Sequence, residues 1–303
     1  MNEPVNHSAV DGADDTASAA LPAMEGRSGC ADDSPMETLV ARVGYKGAAY
    51  AGFAEQEKQA HVKTVAGELR QAFRTILRRD VELTCAGRTD AGVHARSQYV
   101  SLPFSTQEFE GRAASRLVRS LSAVLPEDIR VHELYRAPQG FSARFDARAR
   151  RYRYHIMAGP VAPLFSADWC WWIRSAKADV LDVDAMNEAA HILIGEHDFK
   201  SFCKAQSAVD KPTCRFVMSA GFEHESVLGE DTLVFDIVGN AFLHSMVRTI
   251  VGTLVEVGLN RHEPAWVGEV LAACDRNAAG PCAPACGLTF WDVQYPDDVL
   301  KPW

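Results

Sequence analysis

Residues 81–104 read Val81-Glu82-Leu83-Thr84-Cys85-Ala86-Gly87-Arg88-Thr89-Asp90-Ala91-Gly92-Val93-His94-Ala95-Arg96-Ser97-Gln98-Tyr99-Val100-Ser101-Leu102-Pro103-Phe104. Two strand-like runs, 81–85 and 98–104, flank a polar loop in which Gly87 and Gly92 permit tight turns or close approach to a ligand. Upstream, Val65, Leu69, Phe73 and Leu77 recur at helical spacing, and 38–43 reads as a strand followed by a Gly44–Gly47 turn. Downstream, 112–125 carries Leu117, Leu121 and Leu125 on one side, and 129–134 alternates like a strand. The order strand–helix–strand–strand–helix–strand predicts an α+β lobe with helices on one face of an antiparallel sheet.

The second half repeats this order. Strands are expected at 151–157, 216–222, 233–238 and 288–293, and helices at 185–194, 244–257 and 265–274. The expected organisation is an acidic tail at 1–36 without periodicity, an N-terminal lobe at 37–141 and a C-terminal lobe at 142–303, with the seam near Pro138-Gln139-Gly140.

Composition narrows the class. The chain has 303 residues, 47% hydrophobic and 23% charged, which fits a soluble globular protein, and no apolar run is long enough to span a membrane. The net charge of −9 argues against a nucleic-acid partner until its location is read. Residues 1–36 hold seven acids and one base, so the remainder carries 30 bases against 33 acids and is nearly neutral. A local basic patch can dominate such a body. The eight cysteines are scattered, without CxxC, and read as reduced thiols of a cytoplasmic protein. The N-terminus lacks the pattern of a secretory signal.

Three stretches carry candidate chemistry. In the loop at 85–95, Arg88, Thr89 and Asp90 place a cation, a hydroxyl and a carboxylate between two glycines. An ionised aspartate there can act as nucleophile or base; the same residues also suit a surface turn with an ion pair. The stretch 141–154, FSARFDARARRYRY, sets Arg144, Arg148, Arg150, Arg151 and Arg153 against one acid, with Phe141, Phe145, Tyr152 and Tyr154 interleaved. Arginines contact phosphates and aromatics stack on bases, so this composition suits nucleic acid; a solvated strand face accounts for it equally well. As a strand, 150–157 would turn Tyr152, Tyr154 and Ile156 to one face and Arg151, Arg153 and His155 to the other. In 239–252, Arg248 is a lone cation within an apolar helix, and needs a carboxylate, a ligand oxyanion or a route to the surface. No Walker loop, GxGxxG, HExxH or zinc-deaminase pattern is present, so neither cofactor nor metal is expected.

GRTDAGVHA (87–95), ARRYRY (149–154) and AFLHSMVRTIVG (241–252), in this order, resemble the bacterial tRNA pseudouridine synthase A family over residues 38–296. The resemblance implies two ferredoxin-like lobes with antiparallel sheets flanking a central basic cleft, a homodimer, and conversion of uridine to pseudouridine. The implied substrate is the anticodon stem-loop of tRNA, at its positions 38, 39 and 40. Residue by residue it implies Asp90 as nucleophile, Arg248 as its partner, Arg88 holding the nucleotide, Tyr152 against the target base and Leu288 lining the pocket. Arg144, Arg151 and Arg153 are the expected phosphate contacts, with Arg112, Arg116 and Arg119 a solvated helix face or an extension of that patch. Where the family has Gly-Trp-Gln after its first strand, this chain has Gly52-Phe53-Ala54. Asp90 would add to C1′ or to C6 of the uracil; the residues do not choose between them. A tRNA-binding protein of the same fold without chemistry is the alternative reading.

Overall fold

The computed structural model describes residues 35–55, 62–204 and 211–303. The expected tail lies outside these residues except for its last two. Strand β1 (Met36–Tyr45) is flanked on both sides, by β3 (His94–Ser105) and β4 (Ile129–Ala137), and its middle is accordingly buried. Helix α1 (Val65–Leu77) coincides with the predicted span. Thr64 caps it by accepting from Gly67 N–H at 3.2 Å, Arg78 ends it in the left-handed conformation, and Leu69 and Phe73 are fully buried. Helix α3 (Ala114–Val124) buries Leu117 and Leu121 beside it, after a short α2 (Thr106–Glu110) that sequence did not separate.

The predicted strand at 81–85 shrinks to β2 (Thr84–Cys85), paired with Ser101 and Val100. Its partner strand then reaches Pro103, which has no N–H for a ladder and whose carbonyl is taken by Arg79. The expected turn at 44–47 is also displaced. β1 runs on through Tyr45 across register shifts, and a 3-10 turn follows at Gly47–Ala49.

In the second half, β5 (Ala149–Gly159), α4 (Val183–His191), β8 (Cys214–Val227), β9 (Glu230–Gly239), α5 (Met246–Gly258) and β10 (Leu288–Gln294) repeat the order of the first. Helix α6 (Trp266–Ala273) is an addition that sequence anticipated. Strands β6 (Trp171–Arg174) and β7 (Gly195–Asp198) were not anticipated; both are four residues long, and each pairs with a single strand.

The strands run β4-β1-β3-β2 in one half and β10-β5-β9-β8 in the other. Both halves thus show the same βαββαβ order, with the fourth strand beside the first and the third beside the second, all antiparallel. The two sheets join edge to edge where β3 meets β10 in parallel, pairing Thr289 with His94 and Phe290 with Ala95. That seam begins directly after the glycine-rich loop, so the topology carries Asp90 to the junction of the halves. The chain end returns to the N-terminal half: β11 (Lys301–Pro302) pairs with β4, and the Trp303 ring meets Phe104 and Phe109 edge-on.

Candidate active site

The loop 86–93 is held by several hydrogen bonds to its backbone. Ala86 N–H donates to Tyr99 O, and the Gln98 side-chain amide donates to Gly87 O at 2.6 Å. Arg150 donates through Nε and Nη2 to Ala86 O at 3.2 and 3.1 Å. Phe53 N–H donates to Thr89 O, and the Tyr45 and Thr89 hydroxyls bond at 2.8 Å. Phe53, where the family has tryptophan, therefore stays buried and supports the loop through its backbone, with its ring 6.2 Å from Tyr45. Gly87 packs tightly against Phe290, whose ring would have to give way to a Cβ 3.0 Å from it.

Asp90 projects from this loop with its side chain 21% exposed. Ser245 Oγ donates to Asp90 Oδ2 at 2.8 Å, and Arg248 Nη1 donates to the same oxygen at 3.2 Å. His244 Nε2 lies 3.3 Å from Oδ1. All three come from the start of α5, over 150 residues away in sequence. Arg248 is aimed by a second contact, its Nε donating to Ala283 O at 2.8 Å. The 280–283 segment lies this close to α5 because Gly252 has no Cβ; one there would stand 1.8 Å from Pro281 O. The lone cation in the apolar helix thus has the carboxylate partner that its burial called for.

Tyr152 is buried on the same side as Gly87, its ring between the edges of Phe242 and Phe290, both 5.0 Å away. Its hydroxyl bonds to no other described residue. Burial, with Tyr45 and Asp90 nearby, pushes the phenol well above the ordinary tyrosine range. It therefore stays protonated and can donate to a ligand. His94, the histidine of the loop motif, is buried and accepts from Gly47 N–H through Nδ1.

The arginines divide. Arg88 and Arg144 are exposed, and neither has an acidic partner among the described residues. Arg151 and Arg153 stand on the other face of β5, as the two-residue period requires. Arg151 pairs with Asp236 at 2.7 Å. Arg153, only 6% exposed, meets Glu223, Glu225 and Asp236 and lies over the Trp291 ring. The structure therefore does not bring Arg151 and Arg153 to Asp90. Leu288 is buried opposite Tyr154 at the start of β10; the β10 ring that touches Tyr152 is Phe290.

Sequence reasoning missed Ser245, Phe242, Phe290, Gln98 and Arg150 as parts of this site. Ser245 lay within a quoted motif, but the helix expected at 244–257 enclosed it and gave it no separate role. Phe290 had a findable signal, being an inward-facing strand residue two positions after Leu288.

Among the described residues no group of three or more His, Cys, Asp or Glu side chains is placed to hold a metal ion, and no helix is long and apolar enough to cross a membrane. A carboxylate held by two donors on one oxygen, beside a buried aromatic with a spare hydroxyl, suits nucleophilic addition to an electron-poor carbon of a planar ligand.

Residues 189–296 match a family model described as tRNA pseudouridine synthase. A protein named tRNA pseudouridine synthase A from Brevibacillus brevis is 42% identical over 260 residues, which is 86% of this chain and 100% of that one. One of the same name from Francisella tularensis subsp. novicida is 38% identical over 266 residues, covering 88% and 97%. Among solved structures, a Cbf5-Nop10-Gar1 complex gives a TM-score of 0.28 at 13% identity, covering 72% of this chain and 54% of that one, too slight a likeness to bear on the fold.

Proposed function

The chain belongs to the tRNA pseudouridine synthase A family, and on that premise we propose that Asp90 is the nucleophile that isomerises uridine in the anticodon stem-loop. At the level of the family it is an isomerase that converts uridine of tRNA to pseudouridine. The reaction breaks the N1–C1′ bond, turns the base over, joins C5 to C1′ and releases the C5 proton. It is redox-neutral and needs no phosphate donor.

The observation that carries this reading is the convergence of Ser245 and Arg248 on one oxygen of Asp90. Two donors on Oδ2 fix the carboxylate and leave Oδ1, beside the exposed His244, as the oxygen that meets the uridine at C1′ or C6. Tyr152 packs against the uracil, and its hydroxyl donates to the ring or accepts from a water that takes the C5 proton. The uridine must leave its stack to reach Asp90, which costs on the order of a few kcal/mol. Contacts of Arg88 and Arg144 with phosphates offset that cost. Leu288 lines the apolar side of the pocket beyond Phe290. Arg151 and Arg153, which already have carboxylate partners, serve the sheet rather than the RNA.

The finer assignments go with this reading: positions 38, 39 and 40 as targets, lobes at 37–141 and 142–303, a homodimer, and a cytoplasmic location. The test is tritium release from tRNA transcripts carrying 5-³H-uridine, with Asp90→Asn as control. Release by the unaltered protein alone, mapped to those three positions, supports the reading. Binding of tRNA without release by the unaltered protein overturns it.

A further inference from the structure

Of the four aromatics interleaved with arginines in 141–154, the fold disposes of three. Phe141 and Tyr154 are core residues, and Tyr152 faces the Asp90 loop. Phe145 is left 80% exposed, more than any other large hydrophobic side chain among the described residues.

The turn that carries it is tightly held. Ser142 N–H donates to Asp146 Oδ2 at 2.7 Å, Ala143 N–H donates to Ser101 Oγ at 3.0 Å, and the Tyr295 hydroxyl donates to Ala143 O at 2.7 Å. The Arg144 guanidinium lies 5.4 Å from the Phe145 ring centroid, over its face. Arg148, three residues on, is also exposed and has no acidic partner among the described residues. Arg150 ties this turn to the catalytic loop, because one guanidinium donates to Arg144 O and to Ala86 O.

We propose that Phe145 is a stacking platform for an unpaired nucleobase of the RNA, with Arg144 and Arg148 on its flanking phosphates. The site takes a base next to the target uridine, since its turn and the Asp90 loop share Arg150. Base–aromatic stacking needs an open ring face and tolerates any base, and flanking cations favour a polyanion over a protein surface of mixed charge. The proposal rests on the reading of Asp90 as a tRNA-modifying centre and adds a second point of RNA contact.

The test compares wild type with Phe145→Ala, Phe145→Leu and Phe145→Trp. Binding is measured by titration of fluorescent tRNA, and turnover by tritium release. Because the side chain is exposed, all three variants should keep the thermal midpoint of the wild type. Phe145→Ala should weaken tRNA binding about 5- to 100-fold and raise KM alike, with kcat within about twofold. Phe145→Leu should fall nearly as far, while Phe145→Trp should bind at least as tightly as wild type. Equal binding by wild type and Phe145→Ala overturns the platform alone, whereas a wild type that neither binds nor modifies tRNA overturns the underlying reading. A change of oligomeric state in Phe145→Ala, read by light scattering, overturns the proposal in favour of a contact between copies.

Discussion

Ser245 donates its hydroxyl to Asp90 Oδ2 across 2.8 Å from a position where serine ordinarily caps its own helix. It stands at the N-cap of α5 yet makes no side-chain cap bond, and its backbone is left-handed, with φ 60°. A non-glycine residue in that region costs free energy, and the forgone cap costs about 1 kcal/mol more. Both are accepted in return for a donor fixed on the carboxylate.

Replacing Ser245 by glycine separates these two costs. Glycine relieves the backbone and removes the hydroxyl, so the variant should be no less stable than wild type. Its kcat should fall about 10- to 100-fold, the value of a hydrogen bond to a charged group, with KM for tRNA little changed. Ser245→Asn, which tolerates the left-handed backbone and keeps a donor, should recover part of that loss. Steady-state kinetics with calorimetry would check both, and full activity in Ser245→Gly would refute the positioning role.

Asp90→Asn keeps the shape of the side chain and removes the proposed nucleophile. Turnover should vanish while tRNA affinity stays within a few fold, because the exposed arginines proposed to bind are untouched. Normal tritium release by this variant would remove the nucleophile assignment.

Gly252→Ala should reach the site from a distance. The added methyl meets Pro281 O, so either α5 or the 280–283 segment must shift. Overpacking of this kind costs about 1–3 kcal/mol, and the shift should misplace the Ala283 carbonyl that aims Arg248. Thermal denaturation should show the loss, and kcat should fall with it.

His155 gives a pH signature. Burial, reinforced by Arg153, pushes its imidazole down to about 4 from an ordinary value near 6.5. Above pH 6.5 folded and unfolded chains both hold it neutral. As pH falls from about 6.5 to about 4, only the unfolded chain takes up the proton, so stability falls over that window. The loss is at most about 3 kcal/mol. Denaturant titrations should show a shallower decline over that range in His155→Gln, and identical slopes would contradict the assignment.

Salt should expose the phosphate contacts. Neutralising Arg88, Arg144 and Arg148 together should flatten the plot of log affinity against log salt, by about 0.7–0.9 for each phosphate left without its arginine. An unchanged slope would mean that these exposed arginines do not touch the RNA.

Much was legible in the sequence because it is local. The period of Val65, Leu69, Phe73 and Leu77 set α1 to the residue, since an amphipathic helix reports its own buried face. The alternation in 150–157 correctly separated Tyr152 from Arg151 and Arg153. The order of strands and helices foretold a repeated α+β lobe, and the glycine-rich loop was rightly placed between two strands. Short strands such as β6 and β7 escaped notice, because four residues carry too little pattern to distinguish them from loop.

Only the tertiary structure decided what each polar group does. Arg150, Arg151 and Arg153 are alike in sequence, yet one grips the Ala86 carbonyl of the Asp90 loop and two are neutralised by carboxylates from β8 and β9. Ser245 meets Asp90 across 155 residues, a pairing no local pattern encodes. Periodicity is a property of neighbours along the chain and fixes which side chains are buried. Charge pairing depends on neighbours in space: those of Arg151 and Arg153 exist once β5, β9 and β8 have paired, and those of Asp90 once β3 and β10 have joined the two halves.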